Sequence, residues 1–367
     1  MNPNFIRFLE SIVYGDRKDF LAVVIKSVLS VLSGLYGVIL WVYLMPFMIG
    51  IRKKQRLEKP VISVGNLTTG GTGKTPTTQY LCRGLINRGW SPAVLSYGYS
   101  GSLHGKLGVV SDKTGVLLTP DIAGDEPVML ASGMPGVPVL VCKHRTVSGR
   151  KAIWDAGADI LVLDDGFQVW KLHRDMDIVL VNGGKPFDNG RMLPAGRLRE
   201  PVAALRRADC VISIGDCEPA MEIRRIAPEI PVCFGRFKAS ALNLLADGSG
   251  LEMKAVQGMK ILAMSSIANP GSFEETLAEI GVKIVCVKHF PDHYLYSAGD
   301  IDIINQDAAE CGAEYIITTD KDAVKLTGFK FSIPIAALRI KLELDDEPGF
   351  WELITRKVGK SPNTKQN

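Results

Sequence analysis

Residues 61–76 read Val-Ile-Ser-Val-Gly-Asn-Leu-Thr-Thr-Gly-Gly-Thr-Gly-Lys-Thr-Pro. A short β-branched run enters a glycine-rich segment that ends in Gly73-Lys74-Thr75, and helix-compatible sequence follows. This is the pattern of a phosphate-binding loop. Glycines let backbone N–H groups close around a polyphosphate, and the helix that follows adds the positive end of its dipole. Thr68, Thr69, Gly70, Gly71, Thr72 and Gly73 are the expected cradle for ATP. Lys74 is placed to reach the β- and γ-phosphates, Thr75 to hold Mg²⁺, and Pro76 follows in the first helical turn. The loop departs from the usual spacing, because Thr68 stands where a glycine is expected. Thr69 stands where partition-type ATPases carry a lysine. A chance glycine-rich turn would need neither the strand before nor the helix after.

The chain has 367 residues, room for two domains and an appendage. A net charge of +4, without interleaved arginines and aromatics, gives no case for nucleic acid. The seven cysteines form no Cys-x-x-Cys pair, which argues against a zinc site or disulfide framework and for a reducing compartment. Residues 27–51 contain no charged side chain. As a helix they would extend about 37 Å, enough to cross a hydrocarbon core. Arg52, Lys53, Lys54 and Arg56 follow at once, whereas Arg7, Arg17, Lys18 and Lys26 precede, so the positive charges set no orientation. Gly34, Gly37 and Pro46 interrupt the run. A helix lying in the membrane interface, anchored by Tyr36, Trp41 and Tyr43, stands beside a spanning one, and a buried core helix is the bland alternative.

From Lys59 the pattern alternates strands and helices. Strands are expected at 61–65, 92–97, 137–141, 159–164, 177–182 and 209–214, with helices such as 74–88 and 145–156 between them. Near-continuous apolar strands such as Ile160-Leu161-Val162-Leu163 imply a parallel sheet covered on both faces, a doubly wound α/β domain. A second, smaller α/β pattern runs through strand 260–265, helix 270–280, strand 283–288, helix 298–311 and strand 314–319. The expected organisation is a membrane-anchoring segment 1–58, a P-loop domain 59–232, a linker strand region 233–258, a second α/β domain 259–332, and a return strand, terminal helix and tail over 333–367. The flanking segments 231–258 and 333–344 read as strands that join the domains and pair as a ribbon. Residues 359–367 read as a disordered tail.

The apolar strand 160–163 ends in Asp164-Asp165-Gly166, which puts carboxylates at the sheet edge beside a phosphate loop, where a metal needs them. Gly124-Asp125-Glu126-Pro127 fits a helix cap, and equally a base for a substrate hydroxyl. Phe290-Pro291-Asp292-His293-Tyr294 follows a strand of the second domain and faces the expected interdomain cleft. The segment 191–201 sets Arg191, Arg197 and Arg199 among apolar residues, a pairing suited to an anionic amphiphile, or to a solvated turn.

Taken together these motifs resemble the tetraacyldisaccharide 4′-kinase family of Gram-negative bacteria. The resemblance rests on residues 64–76, Gly-Asp-Glu-Pro (124–127), Asp-Asp-Gly-Phe-Gln (164–168), Leu-Pro-Ala-Gly-x-Leu-Arg-Glu-Pro (193–201), Phe-x-Asp-His-Tyr (290–294) and Thr-x-Lys-Asp (319–322), in order from about residue 20 to 345. It implies transfer of the γ-phosphate of ATP to the 4′-hydroxyl of an acylated glucosamine disaccharide 1-phosphate in lipid A synthesis. Under it Asp125 is the base, His293 its partner and Lys74 the third catalytic residue. Thr75, Asp164 and Asp165 hold Mg²⁺, Glu126 and Gln168 support them, and Tyr99, Arg145, Arg191, Arg197 and Arg199 meet the lipid. It further implies a monomer at the inner membrane with its catalytic domains on the cytoplasmic face. The family's Ser-Arg-Gly-Tyr-Gly is Ser-Tyr-Gly-Tyr-Ser here, so Tyr97 replaces an arginine. The rival readings are a membrane-associated partition-type ATPase, a soluble small-molecule kinase on the same loop, and a lipid-binding module.

Overall fold

The computed structural model describes residues 12–13, 19–215 and 220–362. The flanking charges Arg7, Arg17 and Lys18, and residues 363–367 of the expected tail, lie outside them. Helix α1 (Phe20–Met48) comes first. It leads into β1 (Val61–Asn66), the phosphate loop and α2 (Lys74–Ile86). Next come β2 (Pro92–Ser96), β3 (Gly108–Ser111), α3 (Asp125–Gly133), β4 (Val139–Val141), α4 (Arg145–Ala156), β5 (Ile160–Asp164), β6 (Met176–Asn182) and β7 (Cys210–Ile214). The long β8 (Val232–Leu244) opens the second half, followed by β9 (Gly250–Leu251), β10 (Lys260–Ser265), α5 (Pro270–Ile280), β11 (Lys283–His289), α6 (Ala298–Glu310), β12 (Tyr315–Thr319), α7 (Asp320–Leu326), β13 (Ile335–Leu344) and α8 (Glu347–Val358).

The strands among the described residues all belong to one 13-stranded sheet, in the order β11-β10-β12-β13-β8-β7-β6-β1-β5-β2-β4-β3, with β9 paired to β8. The two α/β patterns therefore share a sheet and meet through β8 and β13. These two run antiparallel from Gly235–Leu344 to Leu244–Ala336, while β8 also pairs in parallel with β7, and β13 with β12. The β8–β13 ribbon is the antiparallel seam in an otherwise mostly parallel sheet. Strands β1, β2 and β5 are buried along their whole length, as a sheet covered on both faces requires.

Alternate side chains of β1 supply two different cores. Ile62 and Val64 pack with Leu81 and Leu85 of α2, whereas Val61 packs with Leu161, Leu95 and Ala152 of α4. Helix α8 returns to the first half. Phe350 and Trp351 pack their rings 6.1 and 6.0 Å from Tyr80 of α2, and the Arg88 guanidinium lies 3.9 Å over Trp351. Gly84 makes room for this, since a Cβ there would sit 1.9 Å from Trp351.

Helix α1 is long and apolar enough to cross a membrane, and only 6% of its most apolar window is buried. Phe20, Val31 and Trp41 are 86%, 73% and 58% exposed, so the helix is not the buried core alternative. What it does touch is the segment 191–199 and Trp170. Ser33 Oγ donates to the Met192 carbonyl at 2.9 Å and Tyr36 OH to the Arg199 carbonyl at 2.7 Å. Arg191 donates to Ser30 Oγ at 2.9 Å, and Phe47 packs on Trp170.

Candidate active site

The phosphate loop leaves β1 at Asn66 and enters α2 at Gly73, which adopts φ +79°. A left-handed backbone suits glycine. Here the space also demands it, because a Cβ would lie 2.1 Å from the Phe237 ring of β8. The ribbon thus closes against the loop. Lys74 Nζ lies 3.5 Å from Asn66 Oδ1 and 3.9 Å from Asp165 Oδ1. Asn66 Nδ2 in turn donates to Thr72 Oγ1 at 2.7 Å. The Thr69 amide donates to the Arg197 carbonyl at 2.8 Å, which ties the loop to the segment 191–199.

Asp164 ends β5 and Asp165 turns the chain away at φ +54°. Their environments differ. Arg199 grips Asp165 through two hydrogen bonds of 2.9 Å. Burial alone would raise the Asp165 pKa, but Lys74 and Arg199 hold it below the usual carboxylate range. Asp164 is 3% exposed and receives only long hydrogen bonds, from Thr78 at 3.4 Å and Ser96 at 3.3 Å. Burial, with the charges of Glu126 and Asp165, pushes it up to about 7. Gln168 donates through Nε2 to the Asn66 carbonyl at 3.1 Å, and its buried Oε1 has no partner among the described residues. Oxygen donors from Thr75, Asp164 and Asp165, with an unpartnered amide oxygen nearby, suit a hard cation such as Mg²⁺. It takes one or two carboxylates and completes its shell with phosphate and water.

Asp125 opens α3 after Gly124, whose φ is +94° and where a Cβ would strike the Tyr99 carbonyl at 2.2 Å. Its carboxylate accepts from the Glu126 amide at 3.0 Å and meets His293 Nδ1 at 2.9 Å. Burial would raise the Asp125 pKa, yet the hydrogen bond and charge of His293 bring it below the ordinary value. His293 sits at φ +60°, and its hydrogen bond to Asp125 holds its pKa above the ordinary imidazole value against burial and Lys321. The sequence places these two residues 168 positions apart. The sheet brings them together because α3 and the loop after β11 flank the same cleft. That cleft, about 540 Å³, is lined by the phosphate loop, Tyr99, Glu126, Arg199, His293 and Lys321. A second cavity of about 730 Å³ shares Tyr99, Asp165 and Arg199 with it and reaches Tyr43 and Phe47 of α1.

The family profile of Tetraacyldisaccharide-1-P 4′-kinase matches residues 25–359. The chain belongs to that family. The tetraacyldisaccharide 4′-kinase of Pelobacter propionicus is 38% identical over 344 residues, covering 94% of this chain and 95% of that one. The enzyme of the same name from Geobacter sulfurreducens is 39% identical over 323 residues, covering 87% and 90%. The crystal structure of LpxK from Aquifex aeolicus in complex with ATP matches with a TM-score of 0.76 at 31% identity, covering 91% of this chain and 99% of that one.

Against this family background, the residues expected to meet the lipid divide. Tyr99 and Arg145 line the second cavity, with the Arg145 guanidinium 5.5 Å over the ring of Tyr97. Tyr97, which replaces the arginine, stacks on Tyr99 at 4.5 Å. Arg191 is bonded to α1, and Arg197 pairs with Asp188 at 3.5 Å. Arg199 is bonded to Asp165 and Asn66 and lines both cavities. Sequence reasoning assigned no role to Lys321, although it lies in Thr-x-Lys-Asp, nor to Asn66 at the end of β1. A polar residue closing an apolar strand was the available signal for Asn66.

Proposed function

We infer that this chain transfers the γ-phosphate of ATP to the 4′-hydroxyl of the acylated disaccharide 1-phosphate precursor of lipid A. The observation that carries the reading is the Asp125–His293 bridge at 2.9 Å, set across the cleft from the phosphate loop. A sugar hydroxyl is a poor nucleophile that must give up its proton as the P–O bond forms, and a carboxylate oriented by a histidine can accept it. In this reading Asp125 accepts that proton, the hydroxyl oxygen attacks the γ-phosphorus, and ADP leaves with the electrons of the broken P–O bond. His293 orients the carboxylate. Lys74 draws off charge on the transferring group. Bound Mg²⁺ would be held by Thr75, Asp164 and Asp165 and would offset charge on the β- and γ-phosphates. Glu126 and Gln168 support that cluster.

The cavity running from Asp165 to Phe47 supports a route for an amphiphile whose headgroup meets the phosphate site and whose acyl chains lie toward α1. Tyr99 and Arg145 line that route. We place α1 in or on the inner membrane, with the remaining fold on its cytoplasmic face, and treat the protein as a monomer. The Asp125–His293 bridge is already formed, and movement of the two halves about the β8–β13 ribbon is proposed to exclude water from the cleft around it. The test is transfer of label from [γ-³²P]ATP to purified disaccharide 1-phosphate, with diacylglycerol as control acceptor. Label on the disaccharide alone is the expected outcome; ATP hydrolysis without labelled lipid would overturn the reading.

A further inference from the structure

Lys321 lies in the first turn of α7, and its side chain is 14% exposed. Its ammonium is 2.8 Å from Asp292 Oδ1, 3.2 Å from His293 Nε2 and 3.6 Å from Glu126 Oε1. An ammonium has three donors and no acceptor, and it meets three partners here. Burial would lower its pKa, but Asp292 and Glu126 hold it above the ordinary lysine value. It therefore faces His293 as a cation, and Nε2 can only accept from it. The ring proton is then on Nδ1, where it donates to Asp125.

We infer that Lys321 is a positioning residue that occupies the Nε2 lone pair of His293, fixing the neutral tautomer that donates to Asp125. The inference rests on the reading of Asp125 as the base. A doubly protonated ring would aim an N–H at an ammonium 3.2 Å away. Asp125 from α3 and Asp292 from the same loop favour that second proton, and Lys321 from α7 opposes it. A neutral donor favours the Asp125 carboxylate through the hydrogen bond alone, so it takes less of the basicity needed for the hydroxyl than an imidazolium would.

The mount is rigid. Thr319 Oγ1 caps α7 through the Asp322 amide at 3.1 Å. The fully buried Asp322 pairs with Lys325 at 2.9 Å and accepts from the Ser266 amide at 2.8 Å. Asp292 Oδ1 accepts from both Lys321 and the His293 amide, so one carboxylate registers the lysine against the loop that bears the histidine.

The test uses the full chain labelled with ¹⁵N-histidine. It has five histidines, and His293→Gln assigns the resonance. At pH 7.5 the His293 Nδ1 signal should be that of a protonated nitrogen and the Nε2 signal that of a bare one. In Lys321→Met the titration midpoint of His293 should rise by about one pH unit, as expected when a neighbouring like charge is removed. The acid limb of kcat should move with it, the KM for ATP should hold, and Lys321→Arg should recover most of the shift. The nitrogen signals need no turnover, so they stand even if the disaccharide proves not to be the acceptor. A doubly protonated His293 at pH 7.5, an unmoved midpoint in Lys321→Met, or a loss of kcat equal at every pH would overturn the inference.

Discussion

Asp164 and Asp165 are adjacent in the chain and opposite in circumstance. Two cations hold Asp165 ionised, while burial and the charges of Glu126 and Asp165 outweigh Lys74 and Ser96 at Asp164 and push it up to about 7. A proton on Asp164 must leave before a cation can bind. Mg²⁺–ATP should therefore bind more weakly as the pH falls from 8 to 6, by up to about tenfold per unit below 7. Calorimetry in buffers of different ionisation enthalpy should show proton release near pH 7, and Asp164→Asn should abolish it. Asp125 and His293 should behave as a unit. Asp125→Ala is expected to lower turnover at least about 10²-fold, His293→Ala by a similar factor or somewhat less, and the double variant far less than their product. Losses that multiply would mean the two act independently. Most of this chemistry was legible from motifs, because an apolar strand ending in carboxylates and a glycine-rich turn each have a mechanical reason. Lys321 was not, because its meaning lies in two acids and a ring nitrogen that only the fold assembles.

Among the elements, α7 is short, and its stability rests on what is buried beneath it. Lys325 has a side chain only 3% exposed, so Asp322→Ala would leave its charge without a counter-ion and with the Ser266 hydroxyl at 2.6 Å, at a cost of about 3–5 kcal/mol. Burial would raise the Asp322 pKa, but Lys325 and Ser266 bring it below the ordinary value. Its contribution is therefore full above the unfolded carboxylate pKa of about 3.9 and lost as the pH falls through the folded value. Urea unfolding at pH 7 should show the whole difference between wild type and variant, and unfolding below about pH 4 a smaller one. Strand periods and helix stretches were readable where burial is one-sided or complete, as in β1, β5 and α4. Strand β8 was harder, since it changes partners midway and its burial alternates irregularly. Its pairing with β13 was expected as a ribbon of the two flanking segments, but the register between residues about a hundred positions apart lay beyond any local pattern.

For the whole molecule, the decisive surface is the exposed apolar flank of α1. Deleting residues 1–52 is expected to move much of the protein from the membrane to the soluble fraction, and to weaken lipid turnover while ATP binding persists. Sedimentation with vesicles checks the first part and nucleotide titration the second; unchanged partition would put the anchor elsewhere. Hydropathy announced the helix, but not that it rests on the segment 191–199. That contact has a geometric consequence. The hydroxyl of Tyr36 holds the carbonyl of Arg199, whose guanidinium grips Asp165 beside Lys74. Three consecutive contacts thus lead from a side chain of α1 to the edge of the phosphate loop. Under the proposed function, a bilayer seating α1 would also set the altitude of the reaction centre above the lipid plane, so that an acyl-chained acceptor would arrive at the right height without being lifted out of its leaflet.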